Sequence, residues 1–434
     1  MQGWLKVALL IIATVTTNLA MAQENNSMNT NTPYSLFGLG DVLQSSFTSS
    51  IGMGGITTGV RDSRQIDYVN PAGASMRDSL TFIVDFGLSM SNNYLKSANT
   101  SSSSNSFNFH HLAFAFPLSS TKFGVNVGIT PYSFVDYDIE RKERVDDSLI
   151  LEAGDILYQY KGQDGINKVF FNLGYDIWRF SLGVGTQYYF GTINRYYNTL
   201  FNFGNTTNAN YYNTYARSSL RINDFSFSLG AQYTHPFSAG QSLVAGFSVQ
   251  PKTNIRAFED AVTYVAPTAG VAASDTANPP LSKKIQVAMP THINVGLSYS
   301  KMDKWMLGAE FNYQDWSKTS IGDRVKEMGE SYTIRLGGYY IPNKYDVRYF
   351  LKRFTYRGGV RIGQSPIVYN GRSVQDMAVS VGIGVPMRGF GSLNFSCEVG
   401  QRGATSHGMV KENYVNFTFS MSIFEYWFQK YRYE

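Results

Sequence analysis

Residues that could do chemistry are few in this chain of 434 residues and are spread along its length. The five histidines and the single cysteine, Cys397, do not combine into a metal-binding spacing. No Gly-x-Ser-x-Gly elbow is present to mark a nucleophilic serine. The sequence therefore predicts no metal, no cofactor and no catalytic residue. A triad assembled from distant strands stays an alternative, because it would leave no local motif.

The chemistry that the sequence does offer lies in four charged residues of its last third. By the alternation of strand side chains, they share the inward face of three consecutive predicted strands. They are Glu310, Arg335, Arg357 and Arg361. Arginine can bind a carboxylate through two hydrogen bonds, so these residues are predicted ligand-binding candidates for the head of an amphipathic acid. The interpretation that we favour is a network of salt bridges in the lumen that braces the wall and an N-terminal plug.

Strands must position these residues, and from residue 80 to residue 426 the chain is a long series of alternating segments. Val415–Ile423 is typical, because large apolar residues alternate there with Asn, Thr and Ser. The polar face carries few charges, unlike that of a soluble sandwich, and the segments are long enough for tilted membrane strands. The pattern predicts an all-β fold, a 14-stranded antiparallel transmembrane β-barrel.

Composition and targeting signals agree with this fold class. Charged residues make up 16% of the chain, below the roughly 25% of soluble domains. Residues 1–22 are predicted to be a signal peptide, with a weakly basic start, an apolar core and Ala-Met-Ala before the cut. The net charge of +5 comes without a basic run, so we expect no nucleic-acid partner.

The region between the signal peptide and the strands is Gly-rich and aperiodic. Residues 33–79 are too long for a loop without purpose. We predict that residues 23–79 form an N-terminal plug inside the lumen of the barrel at 80–426, and that 427–434 is a short periplasmic tail.

Two clusters in this region are predicted to gate the lumen. They are Gly52, Gly54 and Gly55, and then Asn70, Pro71 and Ala72. Glycine permits unusual φ angles, and asparagine can bind neighbouring backbone, which suits a segment that moves. The alternative is an ordinary Asn-Pro turn.

The links between strands alternate in length, with short turns on the predicted periplasmic side. The long links 196–219 and 259–283 are aromatic or unusually apolar for outer loops, and such patches usually mark interaction surfaces. Their predicted ligand-binding residues are Phe201, Phe203, Tyr264 and Val265. These side chains could instead fill the barrel mouth or contact a partner protein. Residues 149–161 are predicted to be an outer loop or an extended hairpin, and 342–353 to hold a helical turn.

Several stretches resemble the outer-membrane hydrophobic-compound transporters, the family of the long-chain fatty acid transporter and of aromatic hydrocarbon transport proteins. Gly52–Gly55 leading to Asn70–Gly73 is similar to the plug signature of this FadL-like family. The other similar stretches are Met289–Tyr299, Trp305–Glu310, Asp315–Ser317, Tyr332–Pro342 and Arg357–Pro366. The resemblance implies a plugged barrel that captures hydrophobic compounds at its outer loops and releases them sideways at an irregular third strand.

Pro131 lies in the predicted third strand and could mark that lateral opening, because proline removes a ladder hydrogen bond. Alternatively, it lies above the membrane at the end of the strand. The resulting expectation is a passive channel for a hydrophobic small-molecule ligand, in contact with lipid of the Gram-negative outer membrane. A platform for secreted or membrane-assembly proteins is the alternative. An open porin is a third, against which residues 33–79 argue.

Overall fold

The computed structural model describes residues 32–78, 81–97, 100–118, 122–144, 155–202, 212–237, 240–267, 275–317, 319, 328–387, 391–406 and 408–426. The predicted signal peptide, the predicted tail at 427–434 and Phe203 lie outside these residues. None of the helices in the described ranges is long and apolar enough to cross a bilayer.

The strands of the described residues belong to one sheet. They are β1 (Asp41–Val42), β2 (Thr81–Lys96), β3 (Ser101–Pro117), β4 (Phe123–Phe134), β5 (Tyr137–Arg144), β6 (Asp155–Ile177), β7 (Phe180–Asn202), β8 (Tyr212–Pro236), β9 (Gln241–Gln250), β10 (Thr253–Pro267), β11 (Asp275–Met289), β12 (Thr291–Lys301), β13 (Trp305–Asp315), β14 (Glu330–Tyr340), β15 (Thr355–Tyr369), β16 (Arg372–Pro386), β17 (Ser392–Arg402) and β18 (Lys411–Tyr426). The helices among the described residues are α1 (Thr48–Ile51) and 3₁₀ turns at Pro33–Leu36, Pro71–Ser75 and Phe350–Arg353.

The wall is a closed antiparallel barrel of fourteen strands, some of which consist of two of the strands named above. The pairs β4 and β5, β9 and β10, and β11 and β12 are successive parts of single wall strands, and β1 precedes the wall. Pairing of β18 with β2, from Lys411 opposite Lys96 to Tyr426 opposite Thr81, closes the circle. The predicted 14-stranded transmembrane barrel is confirmed.

Alternation sorts the wall residues onto two faces. On β16, Met377, Val379 and Val381 are about half exposed, whereas Asp376 and Ser380 are buried. An outward apolar surface repeated on neighbouring strands suits contact with lipid chains, and the inward polar surface suits hydrogen bonding to protein inside the barrel.

The polar inward face contacts residues 32–78, which we call the inner segment. Its 3₁₀ turn Pro71–Ser75 packs against β4, β6, β7 and β8, whereas α1 packs against β16, β17 and β18. Asn70, Ala72 and Ala74 have no exposed surface. The inner segment therefore touches two sides of the wall.

Two predicted outer loops prove to be strands over most of their length. Residues 196–202 and 212–219 belong to β7 and β8, and 259–267 and 275–283 belong to β10 and β11. Aromatic and β-branched residues favour strands, and β10 pairs with β8 from Ala257 opposite Ile222 to Pro267 opposite Tyr212. The loop boundaries were therefore wrong, although the two segments are neighbours.

Two smaller expectations have clear outcomes. Residues 155–161 extend β6 and pair with β5, which is the extended-hairpin alternative rather than a loop. The helical turn expected within 342–353 is confirmed at Phe350–Arg353.

Candidate functional site

Glu310 on β13 joins the wall to the inner segment. Its Oε2 accepts hydrogen bonds from the backbone N–H groups of Thr57 and Thr58, each at 2.7 Å. Its Oε1 accepts a bond of 2.9 Å from Arg335, which lies directly opposite on β14. Both side chains of this ion pair are buried. The carboxylate is thus satisfied by backbone and arginine donors together.

Arg361 lies on the next strand, β15, directly opposite Arg335. Its Nη1 donates to Asp376 at 2.6 Å and its Nη2 donates to Glu398 at 3.2 Å. Arg357 donates instead to the Asn394 amide oxygen, at 3.0 Å. The structure places all four predicted charged residues on the inward face of the wall. Arg335 and Arg361 form salt bridges there, as expected of a bracing network.

In the predicted gating cluster, the side chain of Asn70 makes three hydrogen bonds. Its Nδ2 donates to the carbonyl oxygens of Thr58, at 3.0 Å, and of Ala231 on β8, at 3.3 Å. Its Oδ1 accepts from the N–H of Ala72, at 3.1 Å, and so caps the turn Pro71–Ser75. Asn70 therefore holds two parts of the inner segment against the wall.

The glycine cluster lies where the inner segment meets β14, β15 and β16. Gly54 and Gly55 have φ of +72° and +82°, a region that favours glycine. The N–H of Gly54 donates to Ser380 Oγ at 2.8 Å. A Cβ on the wall residue Gly359 would overlap the backbone of Met53 and Gly54.

Inward wall glycines such as Gly359 were missed by the sequence reasoning. A Cβ on Gly246 or on Gly296 would likewise overlap the backbone of Thr58 and Gly59. Glycine at an inward strand position often marks close approach of another backbone, and this was the available signal.

Strands β3 and β4 separate partway along their length. They pair only between Leu112 opposite Ile129 and Pro117 opposite Gly124. Beyond Ile129, β4 stays on β6 with a register shift at Pro131, where the N–H donor is missing. The edge of β4 that β3 leaves is taken by β1 of the inner segment.

We call the space between β3 residues 105–111 and β4 beyond Ile129 the wall gap. None of the described strands pairs with that edge of residues 105–111. Thr130 Oγ1 still bridges to the His110 carbonyl oxygen, at 2.9 Å. Pro131 thus lies where the wall strands part, and its role in a lateral opening stays a prediction.

A cavity of about 240 Å³ lies between the inner segment and the wall gap. Val42 of the inner segment, and Phe109 and Pro131 at the gap, give it an apolar side. Arg335 and Arg361 belong to its polar side. The arrangement can hold a small amphipathic molecule, with an apolar part directed to the gap.

The apolar residues expected to capture ligand lie elsewhere. Phe201 is on β7, and Tyr264 and Val265 are on β10, where the Tyr264 ring stacks on Tyr215 with centroids 5.1 Å apart. None of the three lines the cavity. Their binding role stays a prediction. The described residues contain no group of His, Cys, Asp or Glu that could hold a metal ion.

Solved structures with the same fold include known channels. The toluene transporter TodX of Pseudomonas putida is 15% identical, with 89% of this chain and 100% of that chain covered and a TM-score of 0.57. The toluene transporter TbuX of Ralstonia pickettii is 15% identical, with 87% and 98% covered and a TM-score of 0.57. A FadL homologue of Pseudomonas aeruginosa is 13% identical, with 89% and 99% covered and a TM-score of 0.59.

These likenesses confirm the FadL-like resemblance at the level of the fold. No curated protein has a sequence that matches this chain at a significant level. The family model named BamG matches residues 4–434, which include the inner segment and every wall strand. The chain belongs to the BamG family.

Proposed function

We propose that the protein is a passive channel for hydrophobic small molecules in the Gram-negative outer membrane, with the inner segment as a plug and the wall gap as an exit. The observation that carries this proposal is the cavity joining the inner segment to Pro131 and Phe109 at the gap. The likeness in fold to two toluene transporters supports it. The predicted signal peptide is consistent with export.

Release through the gap needs less rearrangement than passage through the inner segment. The middle of that segment is bonded to Glu310, Ser380 and Ser298 of the wall. Each buried hydrogen bond contributes about 1 kcal/mol. The gap, by contrast, is closed by the short strand β1 and by the ion pair between Asp41 and Arg402, at 2.8 Å. Movement around Asn70 would break three hydrogen bonds and is retained as an alternative gate.

A reversible lock on β1 tests the exit. Val42 and Ser133 are paired residues, so their Cα atoms lie within roughly 5.5 Å, which a disulfide can bridge. We expect Val42→Cys with Ser133→Cys, in a Cys397→Ser background, to lose uptake of labelled toluene by cells when oxidised. Reduction should restore the uptake, because only the lock changes.

The matched control locks two strands away from the gap. Ser242 and Ser300 pair between β9 and β12, with their hydroxyl oxygens 3.0 Å apart. Their double cysteine variant should transport equally well when oxidised or reduced. If the oxidised lock at the gap takes up toluene as fast as this control, lateral exit is wrong.

A second candidate function, a platform for a partner protein, is favoured by residues 342–353, which we call the aromatic link. Val347 is fully exposed, and Tyr345, Tyr349 and Leu351 are more than half exposed. The link is nevertheless ordered, since the Asp346 carboxylate accepts the backbone N–H groups of Tyr349 and Arg348. The Tyr349 N–H holds the pKa of Asp346 below its usual value. Ordered, exposed apolar surface usually marks an interface.

A further inference from the structure

The outward face of β8 changes from apolar to basic toward the end of the barrel that carries the long strands. Phe225, Phe227 and Leu229 are 49–61% exposed, as expected of residues in contact with lipid chains. Arg221 and Arg217 follow on the same face, because side chains alternate along a strand, and both are exposed. This end is predicted to be the outer one, so we expect both arginines at the headgroups of the outer leaflet.

A third cation joins these arginines across the sheet. Arg221 lies opposite Phe258 on β10, and Phe258 lies opposite Lys284 on β11. Opposite residues share a face, so the two cations flank the Phe258 ring, and the Arg221 Cζ atom lies 5.8 Å from its centroid. Arg256 is also near, but Asp224 accepts two of its side-chain N–H groups, at 3.1 and 3.2 Å. An anion above Phe258 would therefore meet donors from Arg221 and Lys284.

We call Arg217, Arg221 and Lys284 the outer basic patch, and its cations keep donors free. Within the ranges that the structure describes, neither Arg217 nor Lys284 has a carboxylate partner. Arg221 faces Asp260 at 3.7 Å, which is longer than a hydrogen bond, and the two side chains are 60% and 47% exposed. Exposed pairs of this kind contribute little. The patch thus has three cations against one weakly held carboxylate.

Tyrosine rings extend the patch away from the lipid-facing wall. Arg217 lies four residues beyond Arg221, which is about 14 Å along β8. Its Cζ atom lies 5.4 Å from the ring centroid of Tyr196 and 5.5 Å from that of Tyr264, and it donates to the Tyr264 hydroxyl at 3.1 Å. A tyrosine ring offers an apolar face and a polar edge, which suits the faces of sugar rings. A headgroup that contacts both levels must be taller than a single phosphate ester.

We propose that the outer basic patch binds a phosphorylated glycolipid of the outer leaflet, with a phosphate between Arg221 and Lys284 and sugars against Tyr196 and Tyr264. Arginine suits phosphate because it can donate two parallel hydrogen bonds. The acyl chains lie along the outward phenylalanines of β8, so the site is continuous with the lipid-facing wall. This inference goes beyond transport, and it rests on the proposed function only for the location in the outer membrane.

Native mass spectrometry of the full chain in detergent tests the class of lipid. The probes are lipid A with two phosphates, the same lipid without phosphates, and phosphatidylglycerol. We expect bisphosphorylated lipid A to bind at least about tenfold more tightly than either of the others. Equal binding of the dephosphorylated lipid overturns the phosphate contact. Equal binding of phosphatidylglycerol overturns the glycolipid class.

A pair of double variants locates the site. Arg221→Gln with Lys284→Gln should weaken binding of lipid A by at least about tenfold, because both cations at the phosphate are gone. Lys301→Gln with Lys304→Gln removes the same charge at the turn between β12 and β13, at the other end of the barrel, and should leave the affinity unchanged. An equal loss in both double variants, or no loss in the first, contradicts the site.

The tyrosines are tested with rough lipopolysaccharide, which carries core sugars beyond lipid A. Tyr196→Ser with Tyr264→Ser should weaken its binding and leave the binding of lipid A unchanged. Unchanged binding of both lipids refutes the sugar contact. Binding in detergent needs no passage through the wall, so lipid A binding without toluene uptake refutes only the channel. Toluene uptake without lipid A binding refutes only the outer basic patch as a lipid site.

Discussion

At the residue scale, Glu310 and Arg335 show how a charged pair is kept inside the barrel. Taking two charges out of water is unfavourable, and a buried pair persists only when its remaining donors and acceptors are satisfied. Here the backbone N–H groups of Thr57 and Thr58 complete the carboxylate, and Arg335 also donates to the Gly55 carbonyl oxygen. The pair therefore joins two wall strands to one turn of the inner segment.

Removing one partner should be more damaging than its hydrogen bonds alone suggest. We expect Glu310→Gln to lower the free energy of unfolding by about 3–5 kcal/mol, because Arg335 is left as an uncompensated buried charge. Adding Arg335→Gln should cost at least about 1 kcal/mol less than the sum of the single variants. Urea unfolding followed by tryptophan fluorescence measures all three. Strictly additive losses would show that the two residues do not act as a pair.

At the element scale, the inner segment packs against the wall at positions where the inward residue of a strand is glycine. Two neighbouring glycines on β15, Gly358 and Gly359, face opposite sides of the wall. A Cβ on inward Gly359 would overlap Met53 and Gly54, whereas one on outward Gly358 would have nothing within 4 Å. Alternation alone separates the two positions, and only one of them faces the inner segment.

Alanine at these two positions forms a matched pair. Gly359→Ala should loosen the inner segment and lower the free energy of unfolding by about 1–3 kcal/mol, the usual effect of overpacking. Limited proteolysis should then cut residues 32–78 faster than in the unaltered protein. Gly358→Ala should match the unaltered protein in both measurements, and equal cleavage of the two variants would contradict the contact at Gly359.

At the scale of the whole molecule, the two ends of the barrel differ. One end carries the long paired strands β6, β7, β8 and β10, which extend the wall. The other end carries short turns and the aromatic link, with Lys344, Arg348, Lys352 and Arg353 among its apolar residues. A partner protein at that end would meet both apolar and basic surface.

Removing the apolar part of the link separates the two candidate functions. If the protein is a platform, Val347→Ser with Leu351→Ser should lose a stoichiometric partner that purifies with the unaltered chain, because the exposed contact is gone. Toluene uptake by cells should stay unchanged, since the link is not part of the cavity. Quantitative mass spectrometry of the purified protein measures the partner.

Serine at Trp178 and Met302, which are exposed on other turns of the same end, controls for surface hydrophobicity in general. A partner lost equally from this control would show that the link is not its binding site. An unchanged partner in the link variant would count against the link as well.

The sequence by itself determined the wall. Alternation is a local property of each strand, so the strand number and the inward placement of Glu310, Arg335 and Arg361 can be read without a structure. Proline chemistry is also local, and it marked Pro131 where β4 leaves β3. The apolar and aromatic runs at 196–219 and 259–283 were wrongly predicted to be loops, because an apolar strand and an apolar loop look alike in sequence.

Only the tertiary structure decided what surrounds the cavity. Arg402 is paired with Asp41, a residue 361 positions away in the chain, and no local pattern encodes that distance. Phe201 and Tyr264, which looked like ligand contacts, lie on strands outside the cavity, whereas Phe109 and Val42 line it. Charge balance in the lumen arises when the inner segment and distant strands are brought together. Which charged residues pair with one another therefore depends on the fold as a whole.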